Sequence, residues 1–186
     1  MKNKITIIGC GNIGNAIAQG LVKSKKYVPE NIILTRRSAK HLHEFQAQGF
    51  TISTDNCTAV TRSEIVILAI TPSQIVNVLK EINSSLSSKQ LLISVVSGVS
   101  INEINQHLNR EMGIVRAMPN TAATLCESIT CLATENDSKL LGAEKLFNHI
   151  GQTLKIDESQ MASATALGAC GIAFFLRAIR AASPWA

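Results

Sequence analysis

The segment Lys4-Ile5-Thr6-Ile7-Ile8-Gly9-Cys10-Gly11-Asn12-Ile13-Gly14-Asn15-Ala16-Ile17-Ala18 constrains this chain more than any other stretch. An apolar, β-branched run breaks into G-x-G-x-x-G and resumes with apolar residues at helical spacing, which reads as strand, tight turn and helix. In that context the glycines have separable duties. Gly9 allows the sharp turn, Gly11 lets backbone approach a diphosphate, and Gly14 lets the helix lie against the sheet. The amides that open the helix, together with its dipole, then face negative charge. Gly9, Cys10, Gly11, Asn12, Ile13 and Gly14 are the first candidate cofactor-binding set.

The helix keeps Ile13, Ile17, Ala18, Leu21 and Val22 on one face and runs out near Ser24-Lys25-Lys26, and Ile32 to Thr35 is the next strand. The end of that second strand is where an acidic residue would meet the adenosine ribose hydroxyls of NAD(H). This chain has Thr35-Arg36-Arg37-Ser38 there, two guanidiniums and two hydroxyls with no carboxylate to repel a 2′-phosphate. NADP(H) is therefore favoured as cofactor, with NAD(H) as the alternative. Arg36 and Arg37 as merely solvated loop charges is the competing reading.

Further strand and helix signals alternate. A helix is expected from Ala39 to Gln48, a strand at Phe50 to Ile52, and a capped turn at Asp55-Asn56, with Asn56 either near the adenosine or only a cap. The wholly apolar run Ile65 to Ile70 predicts a central parallel strand covered on both faces, ending at Thr71-Pro72. A helix over Ser73–Ile82, a strand in Gln90–Gly98, a helix over Ile101–Leu108 and a strand in Gly113–Met118 follow. His107 reads as a surface helix residue. Strands at Ser128–Ala133 and Thr153–Ile156 flank a helix at Ser138–Ile150. This alternation gives an α/β class with a Rossmann-like, doubly wound, mostly parallel sheet. Ligands of such sheets collect at the carboxyl ends of the strands, which adds Ala69, Ile70, Thr71 and Pro72 to the candidate set. Small residues at Ser97-Gly98 leave room for a flat ring.

From Met161 to Ala182 the chain is Ala-, Leu-, Ile- and Phe-rich, with Arg177 and Arg180 its only charges. A helix this apolar must be buried, and the expectation is that it meets another chain rather than folding back on its own sheet. The net charge is +5 with pI near 9.1. Lysines and arginines are scattered and aromatics scarce, so no nucleic-acid partner is expected. The five cysteines, Cys10, Cys57, Cys126, Cys131 and Cys170, show no metal spacing and read as reduced, mostly buried thiols, and no metal is expected. A chain that opens on a strand leaves no room for a signal peptide, and no run reaches the length of a membrane span. The expectation is a soluble cytoplasmic protein with no membrane partner.

These residues together carry a resemblance. Ile8–Gly14, Ala69-Ile70-Thr71-Pro72, Ser94-Val95-Val96-Ser97-Gly98-Val99-Ser100-Ile101 and, most specifically, Arg116-Ala117-Met118-Pro119-Asn120-Thr121-Ala122 resemble, in order, the N-terminal two-thirds of pyrroline-5-carboxylate reductases. The resemblance implies an NADP-binding domain over 1–158 and, over 159–186, the start of an all-helical domain that dimerises or assembles further. It implies cofactor contacts at Gly9–Ile13, Arg36, Asn56, Ala69–Pro72, and at Val95, Val96 and Ser97 beside the nicotinamide. Asn120 would lie near the reacting centre, and the small-molecule substrate would be 1-pyrroline-5-carboxylate. This chain departs from the family pattern in three places. Thr71 stands where Lys is frequent, and Gly168-Ala169-Cys170-Gly171-Ile172-Ala173-Phe174 lacks the family's hydroxyls and proline. The sequence also stops before the Gly-Gly-x-Thr region that holds the substrate carboxylate, so it is either truncated or naturally short. No catalytic acid is assigned. A non-enzymatic nucleotide-binding module and a related β-hydroxyacid or coenzyme-F420-type dehydrogenase are the rival readings.

Overall fold

The computed structural model describes residues 4–38, 43–109 and 111–183. Eight strands form one sheet in the order β3-β2-β1-β4-β5-β6-β7-β8. They are β1 (Ile5–Ile8), β2 (Ile32–Thr35), β3 (Thr51–Ser53), β4 (Ile65–Leu68), β5 (Leu91–Ser94), β6 (Ile114–Met118), β7 (Ser128–Ala133) and β8 (Gly151–Lys155). All neighbouring pairs are parallel except β6 with β7. The core strands β1, β2, β4 and β5 are buried along their whole length, as near-continuous apolar runs between two helical layers require.

The helices are α1 (Asn12–Lys23), α2 (His43–Ala47), α3 (Asn56–Thr61), α4 (Ile75–Ile82), α5 (Ile101–Asn105), α6 (Asp137–Phe147), α7 (Met161–Ala164) and α8 (Ile172–Ala182). Alternate strand residues feed opposite layers. Ile5, Ile7, Ile65 and Ile67 join Ile17 and Leu21 of α1 and Leu146 and Phe147 of α6, whereas Ile8, Val66 and Leu68 join Val78, Leu79 and Ile82 of α4. The one polar side chain facing inward from β1, Thr6, is satisfied: its Oγ1 donates to the Ala59 carbonyl at 2.9 Å and meets Ser63 Oγ at 2.7 Å.

The expected strand at Ser128–Ala133 is observed with those bounds, and β8 begins two residues before its expected start, at Gly151. The second helix is seen only from His43; residues 39–42, where it was expected to begin, lie outside the described residues. α5 ends at Asn105, so half-buried His107 sits in the turn after it, not on the helix.

The C-terminal segment is helical throughout. A helical rod runs through a 3-10 turn (Glu158–Gln160), α7, a π-helical stretch (Thr165–Gly171) and α8. It is anchored at its base, where Met161 packs on Met118 and Ala133. Beyond that it projects, with Leu167, Phe174, Phe175, Leu176 and Ile179 all 60–75% exposed. Within this chain the helix is therefore neither buried nor folded back on the sheet. At 25 residues, with an 18-residue window of mean hydropathy 1.6, Glu158–Ala182 is also long and apolar enough to cross a membrane by length and composition, contrary to the expectation that no run would be. Arg177 and Arg180 interrupt the run in sequence, yet alanine, leucine, isoleucine and phenylalanine outweigh them across the continuous helix. Residues 184–186 lie outside the described set.

The cysteines are less buried than expected. Cys10 is buried, while Cys57, Cys126 and Cys131 are half-buried and free; the side chain of Cys170 lies outside the described residues.

Candidate functional site

The strand order reverses between β1 and β4, because β2 pairs on one side of β1 and β4 on the other. Successive crossovers leave the sheet in opposite directions there and open a crevice above the carboxyl ends. A cavity of about 750 Å3 occupies it. Its walls are Ile8–Ile13, Thr35 at the end of β2 and Arg36–Ser38 after it, Thr54 and Asn56, Ala69–Thr71 after β4, Gln74 just before α4, and Asn77, Val78 and Glu81 of α4.

The glycine loop divides its duties as its spacing predicts. Gly9 has φ +94°, and a Cβ there would lie 2.4 Å from the Ala69 carbonyl oxygen, so both conformation and space demand glycine. A Cβ on Gly14 would fall 2.3 Å from the Gly9 oxygen, which is how closely α1 presses on the loop. Gly11 is different: a Cβ there would meet nothing within 4 Å, so its face opens on empty space. Gly11 is also the N-cap of α1, with no side chain capping the helix and no acidic residue in its first turn. The helix end therefore offers amides and partial positive charge to an anion without competition from its own first turn. These features fit a dinucleotide diphosphate.

Cys10 sits in this loop with its thiol buried. Burial pushes its thiol up to about 11, and the opposing pull of the Arg36 guanidinium does not offset it.

Arg36, Arg37 and Ser38 are exposed on the cavity rim, and Arg36 Nη1 donates to the Cys10 carbonyl at 3.4 Å, tying the β2 loop to the glycine loop. Asp55, not Asn56, caps α3: its carboxylate accepts from the Thr58 amide at 3.1 Å and the Thr58 hydroxyl at 2.5 Å, and these bonds hold its pKa below the ordinary value. Asn56 is freed for the cavity. Thr35 Oγ1 donates to Asn56 Oδ1 at 2.6 Å, and Asn56 Nδ2 donates to Glu81 Oε1 and Oε2 at 3.1 and 3.2 Å.

Sequence reasoning missed the α4 wall. Gln74, Asn77, Val78 and Glu81 fall at i, i+3, i+4 and i+7, one helical stripe beside the apolar stripe Ile75, Val78, Leu79 and Ile82. That spacing was available in the sequence, but nothing local says which way the second stripe faces. No carboxylate lies at the strand end, as the sequence reads, but the fold brings Glu81 to the same cavity.

Gly9 to Ile13, Arg36, Arg37, Asn56 and Ala69 to Thr71 line this one cavity; Gly14, Pro72, Val95, Val96, Ser97 and Asn120 do not. Gly14 lies beneath the loop, and Pro72 opens the exposed 3-10 turn that leads into α4. Val95 and Val96 are buried just past β5, with the Val95 amide donating to the Leu68 carbonyl at 3.0 Å, and Ser97 emerges exposed beside them. Asn120 is buried and fully engaged. Its Oδ1 accepts from the Ala122 amide at 3.0 Å, and its Nδ2 donates to the Gly168 carbonyl at 3.3 Å, joining the Pro119-Asn120 turn to the π-helical stretch.

A second missed contact supports that junction. Arg116 of β6, nine-tenths buried, pairs with Glu158 at 2.9 Å, and the same Glu158 oxygen accepts from the Ile101 amide at 2.7 Å. Among the described residues, no cluster of His, Cys, Asp and Glu could hold a metal ion.

Residues 4–98 match the sequence model of the family described as NADP oxidoreductase coenzyme F420-dependent, a stretch holding every wall of the cavity. Fold and site thus define a chain of the nicotinamide-dinucleotide oxidoreductase class. Its relatives narrow that class. Pyrroline-5-carboxylate reductase 1 of Dictyostelium discoideum is 44% identical over 97% of this chain and 35% of its own length, and pyrroline-5-carboxylate reductase 2 of the same organism is 40% identical over 98% and 68%. The crystal structure of Plasmodium falciparum pyrroline carboxylate reductase with NADP bound superposes with a TM-score of 0.88 at 26% identity, covering 97% of this chain and 68% of that one. The chain belongs to the pyrroline-5-carboxylate reductase family. It spans about a third of the length of the first of these relatives and about two-thirds of the others.

Proposed function

We propose that the cavity above β1, β2 and β4 binds NADP(H), and that the protein carrying it reduces 1-pyrroline-5-carboxylate to L-proline. The observation that carries the reading is the empty face at Gly11, set in an uncapped helix end and flanked by Arg36 and Arg37 on the rim of the same cavity. Gly9–Ile13 would hold the diphosphate, while Arg36, Arg37 and Asn56 would hold the phosphorylated adenosine ribose. Ala69–Pro72 and Val95–Ser97, adjacent across β4 and β5, would flank the nicotinamide. The bound dinucleotide supplies hydride for an imine carbon. The chain's part is to orient the two partners and exclude water, which needs no metal and no nucleophile.

Residues 1–158 serve in this reading as the nucleotide-binding unit, and 159–186 as the start of a helical unit. Asn120, whose side-chain amide donates to the Gly168 carbonyl, would lie where the two meet, near the reacting centre. The exposed apolar side chains of α8 support a homodimer or larger homo-oligomer through this helix. The protein is read as soluble and cytoplasmic, acting on a small molecule and not on nucleic acid or membrane.

Calorimetric titration with NADPH tests the reading. Folded protein should bind NADPH more tightly than NADH, and Arg36→Asp should lower that preference about tenfold or more, the worth of one charge-assisted hydrogen bond. Folded protein without affinity for NADPH would refute the assignment. An unchanged preference in Arg36→Asp would show the arginine to be a solvated surface charge.

A further inference from the structure

The fold places a carboxylate where the sequence shows only cations. Glu81 stands 45 residues beyond Arg36 in sequence, and α4 carries it to the wall of the cavity that Arg36 and Arg37 rim. Both its oxygens lie within hydrogen-bond distance of Asn56 Nδ2, and Asn56 Oδ1 in turn takes the Thr35 hydroxyl. The chain Thr35–Asn56–Glu81 fixes which end of the Asn56 amide faces which neighbour. It also holds a negative charge beside the end of β2, the place where an acidic side chain reads ribose hydroxyls in NAD-preferring sites.

We propose that Glu81 tunes the choice between NADP(H) and NAD(H), opposing the 2′-phosphate that the arginines attract and keeping the site open to the unphosphorylated dinucleotide. This rests on reading the cavity as the dinucleotide site. A carboxylate offers about four acceptor positions, more than the Asn56 donor fills, so it can also accept from ribose hydroxyls. A 2′-phosphate brings about two negative charges to the same wall and is repelled by it. The arginines and Glu81 thus pull in opposite directions, and the cofactor preference is set by their difference. Because Glu81 is exposed, its contribution is that of a water-screened charge, modest and dependent on salt.

Calorimetric titration of the full chain with NADPH and NADH, in wild type, Glu81→Gln and Glu81→Ala, tests the proposal. Glu81→Gln removes the charge while keeping an amide oxygen for Asn56. It should raise the NADPH:NADH affinity ratio about three- to tenfold, with the gain shrinking as salt rises. Glu81→Ala should raise the ratio similarly while weakening both dinucleotides, because Asn56 also loses its acceptor. Titration with 2′,5′-ADP and 5′-ADP should reproduce the ratio change, since these probes lack the nicotinamide half. A ratio unchanged in Glu81→Gln within twofold, or a change absent with the two ADP probes, would overturn the proposal. Wild-type protein that is folded by circular dichroism yet binds neither dinucleotide would overturn the reading of the cavity itself.

Discussion

Placing a methyl group at Gly11 and at Gly14 in turn separates the fold from the binding site within one short loop. A Cβ on Gly14 would lie 2.3 Å from the Gly9 carbonyl oxygen, with Ile7 Cγ2 at 3.2 Å and Ala69 Cβ at 3.3 Å behind it. The obstacle is backbone, so α1 must move, and overpacking of this kind costs up to about 3 kcal/mol. Replacing a helical glycine by alanine returns about 1 kcal/mol of propensity, leaving Gly14→Ala about 2 kcal/mol less stable. For a domain of this size that is a fall in Tm of about 4–8 °C. Gly11→Ala should behave otherwise, because its Cβ meets nothing within 4 Å and its φ of −87° suits any residue. The poorer N-cap costs about 1 kcal/mol or less. That methyl group nevertheless points to where the diphosphate is proposed to lie, and NADPH affinity should fall about tenfold or more, some 1.4 kcal/mol per decade. Scanning calorimetry and NADPH titration on the two variants decide the matter. Gly11→Ala binding NADPH as wild type does, or losing as much stability as Gly14→Ala, would refute the assignment of duties within the loop.

Two further perturbations test the scaffold. Glu158→Gln should cost about 2–3 kcal/mol in urea unfolding, because it strips the charge partner from Arg116; the figure sits below the roughly 3–5 kcal/mol of a fully buried pair because the Glu158 side chain is about a third exposed. A change below about 0.5 kcal/mol would show the pair to be incidental to stability. His149 has its pKa lowered by burial first, then by Lys26 and Lys145, so the native state favours the neutral ring and the unfolded state binds the extra proton. Its contribution is fully present above the ordinary value of 6.5 and is lost as pH falls through the lowered native value. The urea midpoint should therefore drop on acidification across that range, and less steeply in His149→Gln; equal slopes would exclude this histidine as a source.

What the sequence made legible follows from how local each signal is. The glycine loop is a contiguous pattern whose strand-turn-helix context lies within the same fifteen residues, and the buried strands announce themselves as apolar runs, unbroken in β4 and carrying one threonine each in β1 and β2. Arg36 and Arg37 are legible because their position follows directly from the end of β2. Glu81 is not, since its place on the wall depends on how α4 is rotated about its axis, which the packing of Leu79 and Ile82 on the sheet decides. The Arg116–Glu158 pair spans 42 residues and joins elements that only the finished sheet brings together. The π-helical stretch likewise has no local signature. Its Gly168 carbonyl accepts from the Asn120 side-chain amide, a contact 48 residues apart that ties the end of the sheet to the C-terminal helix.

Hydrogen–deuterium exchange with and without NADPH tests the central claim most directly, because it locates the ligand and not merely its affinity. Protection should rise in peptides covering Gly9–Ile13, Thr35–Ser38 and Gln74–Glu81, the walls of the switch-point cavity. Protection confined to the other large cavity, around Asn105, Glu111, Asn136 and Lys139, with the glycine loop unchanged, would contradict it.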